Sequence, residues 1–100
     1  MIKFIIVEDK KEYQDIYKNI INKIMFKNDS NYEIQTYERY TPQLKSVIKD
    51  STDTKIYIMD IELEGDKSGL DVAREVRKDD WDSEILFITN HDKMFDTVYE

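Results

Sequence analysis

Short apolar runs alternate with helix-period segments along nearly the whole chain, and this alternation restricts the fold more than any other feature. Ile2 to Val7 is almost continuously apolar, broken only by Lys3, as suits a strand buried on both faces of a parallel sheet. Glu12 to Phe26 follows, with Tyr13, Ile16, Ile20 and Ile24 along one stripe and Tyr17, Ile21 and Met25 flanking it, which predicts an amphipathic helix. After a polar turn from Asn28 to Asn31, Glu33 to Tyr37 alternates in polarity and reads as a strand nearer an edge. Thr41 as an N-cap and Pro42 at the first helical position open a short helix through Leu44, Val47 and Ile48.

Lys55 to Met59 reads as a third strand ending in Asp60. A polar loop holding Gly65 leads to Ser68 and a helix through Leu70, Ala73 and Val76, with Trp81 in the loop beyond. Ile85 to Ile88 is a fourth strand closed by Thr89, and after Asn90 and His91 a helix is expected to begin near Asp92 and to contain Phe95 and Val98. Four β-α units in succession favour right-handed crossovers and a parallel sheet covered on both sides. The expected fold is therefore α/β, a flavodoxin-like doubly wound sheet with strand order 2-1-3-4, in one domain over residues 1–100.

Composition excludes several functions. The chain has no cysteine, so disulfides, thiol catalysis and thiolate metal sites are out. No apolar run has the length of a membrane span, and Met1 leads directly into a strand, so the expected location is cytoplasmic. A formal net charge of −7 argues against nucleic-acid binding by this chain.

In open α/β sheets the site lies beyond the carboxyl ends of the strands, at the switch point of the topology. Glu8 and Asp9 follow the first strand, Asp60 ends the third and Thr89 ends the fourth. If the first and third strands are neighbours, their carboxylates converge, repel one another, and invite a hard divalent cation. Mg²⁺ suits such a site because it takes oxygen ligands and keeps waters that a phosphoryl oxygen can replace. On this reading Asp60 is the nucleophile that attacks phosphorus, Glu8 and Asp9 hold Mg²⁺, and the main-chain carbonyl of Glu62 is a further ligand. Thr89 offers a hydroxyl that can swing toward the new phosphoryl group and transmit the change. Plainer readings stand beside each residue. Glu8-Asp9 can be a solvated strand end with Asp9 starting a helix, Asp60 is ordinary at a strand end, and Thr89 is an ordinary β-branched strand residue. What favours chemistry is the conjunction at three strand ends.

His91 is the only histidine; a lone histidine near a helix start is ordinarily neither ligand nor catalyst, and the sharper alternative is that its closeness in sequence to Thr89 lets it tune the site near neutral pH. Lys10, Lys11, Lys18, Lys23 and Lys27 read as a solvated helix face, or as a docking surface bordering the acidic site. Tyr37, Tyr40 and Trp81 read as packing residues.

Four separated segments resemble response-regulator receiver domains, in order and spacing: Ile5-Ile6-Val7-Glu8-Asp9, Ile56 to Leu63 around Asp60, Ser68-Gly69-Leu70, and Leu86-Phe87-Ile88-Thr89. The residues after Asp60, and residues 87–92, look like LytTR-class regulators of the agr quorum-sensing type. The resemblance implies phosphorylation of Asp60 by a sensor histidine kinase, Mg²⁺ bound through Glu8, Asp9 and Asp60, and Thr89 as switch hydroxyl. It also implies a fifth strand bearing a lysine, a fifth helix and a DNA-binding output domain, none of which this chain contains. The expectation is thus a receiver domain that stops within its fourth helix, with an exposed fourth-strand edge through which copies can pair. Many receivers carry a proline in the loop after the acceptor strand, whereas here Glu64 precedes Gly65. Two other functions compete: an aspartate-nucleophile phosphohydrolase, loosely suggested by Asp60 and Glu62, and a receiver-like interaction module that is never phosphorylated. A nucleotide or flavin site is disfavoured because the turn after Val7 has no glycine.

Overall fold

A computed structural model describes residues 1–28, 30–50, 52–61, 63 and 68–88. The elements are β1 (Ile2–Val7), α1 (Lys11–Phe26), β2 (Tyr32–Tyr37), α2 (Pro42–Lys49), β3 (Thr54–Asp60), α3 (Gly69–Asp79) and β4 (Glu84–Ile88). All three strand pairings are parallel, in the order β2-β1-β3-β4. The α/β class and the 2-1-3-4 order expected from the alternation are both found. The helix expected from Asp92, with Phe95 and Val98, lies outside the described residues.

Strand periodicity divides the core in two. Ile5 and Val7 of β1, with Tyr57 and Met59 of β3, face α2 and α3, where Leu44, Ile48, Val72 and Val76 meet them. Ile6 and Ile58 point the other way, onto Tyr17, Ile21 and Met25 of α1. Ile5, Ile6 and Val7 are wholly buried, as the apolar run predicts for a strand covered on both sides. Each such side chain contributes about 1.5–3 kcal/mol by leaving water.

The stripe expected on α1 is corrected. Ile16, Ile20 and Ile24 are about half exposed, while Gln14, Tyr17, Ile21 and Met25 are buried. The helix carries two adjacent apolar rows at i, i+4 spacing, and periodicity alone gives the width of the face but not which row meets the sheet. The row containing Tyr17 and Ile21 turns inward because it fits over Ile6 and Ile58. Trp81 is also corrected: it is 76% exposed and packs into no core, whereas Tyr37 and Tyr40 do pack against the α2–α3 side.

Helix starts differ in kind. The Thr41 hydroxyl accepts from the Leu44 N–H at 3.2 Å, and Pro42 occupies the first turn, as the sequence predicts. Ser68 and Asp71 form a capping box: the Ser68 hydroxyl accepts from Asp71 N–H, and the Asp71 carboxylate accepts from Ser68 N–H. By contrast, the N-cap position of α1 is Lys10, with no side-chain cap. Asp9 is therefore not used to start the helix, and its carboxylate is left for other work.

At the amino end of β3, Lys55 is buried on the α2–α3 face. Its ammonium donates to the carbonyls of Val47, Ile48 and Asp50 and lies 3.2 Å from the Asp80 carboxylate. Tyr57 donates to the same carboxylate at 2.9 Å. This cluster joins the carboxyl ends of α2 and α3 to the sheet, where a cation also complements the helix dipole.

Candidate functional site

The site is built by two adjacent strands reaching the same level. Val7 is in register with Met59, so the next residues, Glu8 and Asp60, come side by side beyond the ladder. Each lies two positions after an isoleucine that faces α1, Ile6 or Ile58, and alternation turns its side chain toward that helix as well. Glu8 is held by its backbone: its N–H donates to the Tyr37 carbonyl at 2.9 Å, and its carbonyl accepts from the Gln14 amide at 2.7 Å. Gln14 was not singled out in the sequence. The signal available was a polar residue on the buried row of an otherwise apolar helix face.

Carboxylate oxygens of Glu8, Asp9 and Asp60 lie within 4.8 Å of one another. Glu8 is fully buried and Asp60 is 1% exposed. Both carboxylate oxygens of Glu8 and one of Asp9 are buried without a hydrogen-bond partner. Burial pushes the Glu8 carboxyl up to about 8, with the neighbouring Asp60 and Asp9 carboxyls adding to the effect.

Gly69 sets the other wall. Its N–H donates to the Ile61 carbonyl at 2.9 Å, drawing the start of α3 against the end of β3. A Cβ at this position would sit 1.9 Å from the main-chain oxygen of Asp60, so only glycine permits this approach. The Ser68-Gly69-Leu70 segment thus acts on the backbone of Asp60 itself.

The hydroxyl of Tyr17 is a second such feature, on a residue that in the sequence reads only as flanking the apolar stripe of α1. The residue is 5% exposed, its hydroxyl has no partner, and the charges of Glu8 and Asp60 act on it. Burial, then these two carboxylates, push the phenol up, so it stays neutral at any ordinary pH. Lys10 reaches over the Tyr13 ring at 5.9 Å from its centroid, at the rim. Of the remaining expected site residues, Thr89, the Glu62 carbonyl and His91 lie outside the described residues.

A doubly wound parallel sheet with three carboxylates gathered at its switch point defines a class of protein, and comparison with known families agrees. Residues 4–99 match the family described as the response regulator receiver domain, and the chain belongs to it. Among curated proteins it is similar to accessory gene regulator protein A of Staphylococcus epidermidis, in two strains, each 26% identical over 93 residues. These alignments cover 93% of this chain and 39% of the relative, so the chain spans about two-fifths of the length of the curated relatives it matches. The agr-type likeness expected from the sequence is thereby found. A solved structure described as the MaeR response regulator bound to beryllium trifluoride superposes with a TM-score of 0.69 at 23% identity, covering 99% of this chain and 77% of that one. That likeness concerns the fold. Among the described residues no helix is long and apolar enough to cross a membrane.

Proposed function

We propose that this chain is the phosphoacceptor part of a two-component response regulator, taking a phosphoryl group onto Asp60 from a sensor histidine kinase with Mg²⁺ as cofactor. The observation that carries this reading is the buried convergence of Glu8, Asp9 and Asp60 oxygens within 4.8 Å. Three carboxylates gathered together, two of them buried, are costly without compensation, and among the described residues no donor reaches the Glu8 oxygens. An all-oxygen set with unmet acceptors suits a hard divalent cation, so the residues present fit Mg²⁺. Glu8, Asp9 and Asp60 would hold it, together with the Glu62 carbonyl.

When bound, the cation neutralises charge on the phosphoryl oxygens. The chain's own part is nucleophilic and positional. An Asp60 oxygen forms the bond to phosphorus as the bond from phosphorus to the kinase histidine breaks, and the histidine keeps that electron pair and takes up a proton. β3 and the Gly69 contact hold the Asp60 backbone in place, so the attacking oxygen is oriented before the donor arrives. Thr89 serves as the switch hydroxyl, and a separate output domain that binds DNA answers it. The same reading makes the domain a cytoplasmic switch and not a turnover enzyme. It also includes pairing of copies along the β4 edge.

The decisive test is Asp60→Asn. Incubation of the intact chain with labelled acetyl phosphate or a phosphorylated kinase, with Mg²⁺, is expected to label the wild type and not the variant. Equal labelling of both removes Asp60 as acceptor. Sustained release of phosphate from small phosphoesters would favour the hydrolase reading instead.

A further inference from the structure

The oxygens left without partners at the acid site include one that belongs to no carboxylate. Tyr17 lies on α1 over Ile6 and Ile58, the residues two positions before Glu8 and Asp60 on the same face of β1 and β3. Its ring is therefore part of the core, while its hydroxyl stands at the floor of the acid site, within the field of Glu8 and Asp60. Both Glu8 oxygens and the Tyr17 hydroxyl are buried without a hydrogen-bond partner. Phenylalanine would fill the same space without stranding a polar group, so a tyrosine here needs an acceptor in some state of the molecule.

The identity of that acceptor follows from what α1 already does. Gln14, one turn before Tyr17 on the same helix face, donates to the Glu8 carbonyl and holds the main chain. The carboxylate of Glu8 remains without a donor from the protein. A carboxylate that binds a metal through one oxygen keeps lone pairs that a second donor can occupy, and such outer partners orient the ligand and sharpen affinity. We infer that Tyr17 is a positioning residue of the acid site, its hydroxyl donating to the Glu8 carboxylate, directly or through one buried water, when a divalent cation is held there. This rests on the acid-site reading above and adds to it a residue from the helix underneath.

The test compares the intact wild-type chain with Tyr17→Phe, using Mg²⁺ alone as the probe. Calorimetric titration is expected to show Mg²⁺ bound about ten-fold more weakly by the variant. Melting in EDTA is expected to be unchanged or raised, because the metal-free hydroxyl has no partner to lose. In the wild type carrying ¹³Cζ-labelled tyrosine, the Tyr17 signal is expected to move in step with Mg²⁺ saturation while that of Tyr32 does not. Mg²⁺ affinities of the two proteins within two-fold overturn the inference and leave the acid site standing. A Tyr17 signal that ignores saturation overturns it equally, without relying on a variant. If the wild type binds no Mg²⁺, the acid-site reading falls and this inference falls with it.

Discussion

Charge is buried at both ends of this sheet, and the two ends treat it in opposite ways. At the amino end of β3, Lys55 is saturated: three carbonyls and the Asp80 carboxylate surround its ammonium, and Tyr57 adds a donor to Asp80. At the carboxyl end, both carboxylate oxygens of Glu8 and one of Asp9 are buried without a donor. The two tyrosines repeat the contrast, with the Tyr57 hydroxyl partnered and the Tyr17 hydroxyl not. The amino end is finished by folding alone. The carboxyl end holds a deficit of positive charge, as expected of a place where a cation and a phosphoryl group come and go.

The largest effect that would break this contrast is removal of the buried cation. Lys55→Met should cost about 3–5 kcal/mol, because Asp80 and three carbonyls lose their donor inside the protein. Denaturant unfolding of the intact chain measures it, and a loss below about 1 kcal/mol would mean that the cluster is decorative.

The ends should also respond to pH with opposite signs. Glu8 titrates higher folded than unfolded, so between about 4.5 and 8 the folded chain retains a proton that the unfolded chain has released. Its contribution is fully present below about 4.5 and lost as pH rises through about 8, an effect on the order of a few kcal/mol. At Asp80, burial pushes the carboxyl up, but donors from Ser83, Tyr57 and Lys55 outweigh it and hold it below its ordinary value. Its contribution is present above the unfolded value and lost as pH falls through the folded one. Metal-free chain should therefore melt lower at pH 8.5 than at pH 5.5, and saturating Mg²⁺ should reverse the trend, since metal binding displaces the Glu8 proton. A metal-free melting temperature that rises across that range contradicts the assignment of Glu8.

Gly69→Ala probes the acid end through its backbone. The added methyl meets the Asp60 carbonyl, and relief requires moving the start of α3, at about 1–3 kcal/mol. Labelling of Asp60 should fall along with stability. An alanine variant that is as stable and as readily labelled as wild type would show that the close approach is not needed. The smallest effect is expected from Tyr57→Phe, which removes one hydrogen bond to Asp80 at about 1 kcal/mol. Set beside Tyr17→Phe in metal-free buffer, where no loss is expected, it tests the contrast with one atom at each end.

The acid end was legible in the sequence because strand ends are legible. Glu8-Asp9 and Asp60 terminate apolar runs, and the order of the runs places them together. The amino end was not. Lys55 begins a strand and Asp80 follows a helix, which is where exposed charge is ordinary, and nothing in a linear reading shows that the chain between them brings them to 3.2 Å. The two rows of α1 mark the same boundary: periodicity identified the helix but assigned the inward role to Ile16, Ile20 and Ile24, which are half exposed.

By itself, the sequence determined the alternation of strands and helices, the parallel sheet, the capped start of α2, and the strand ends where chemistry belongs. These follow from local periodicity and capping, which act over a few residues. Only the tertiary structure decided which row of α1 meets the sheet, that Lys55 is buried and fully partnered, that Gly69 touches the Asp60 backbone, and that Tyr17 carries an unpartnered hydroxyl to the floor of the acid site. Each of these depends on how two distant segments fit against each other, and packing fit is a property of surfaces that the order of residues does not display.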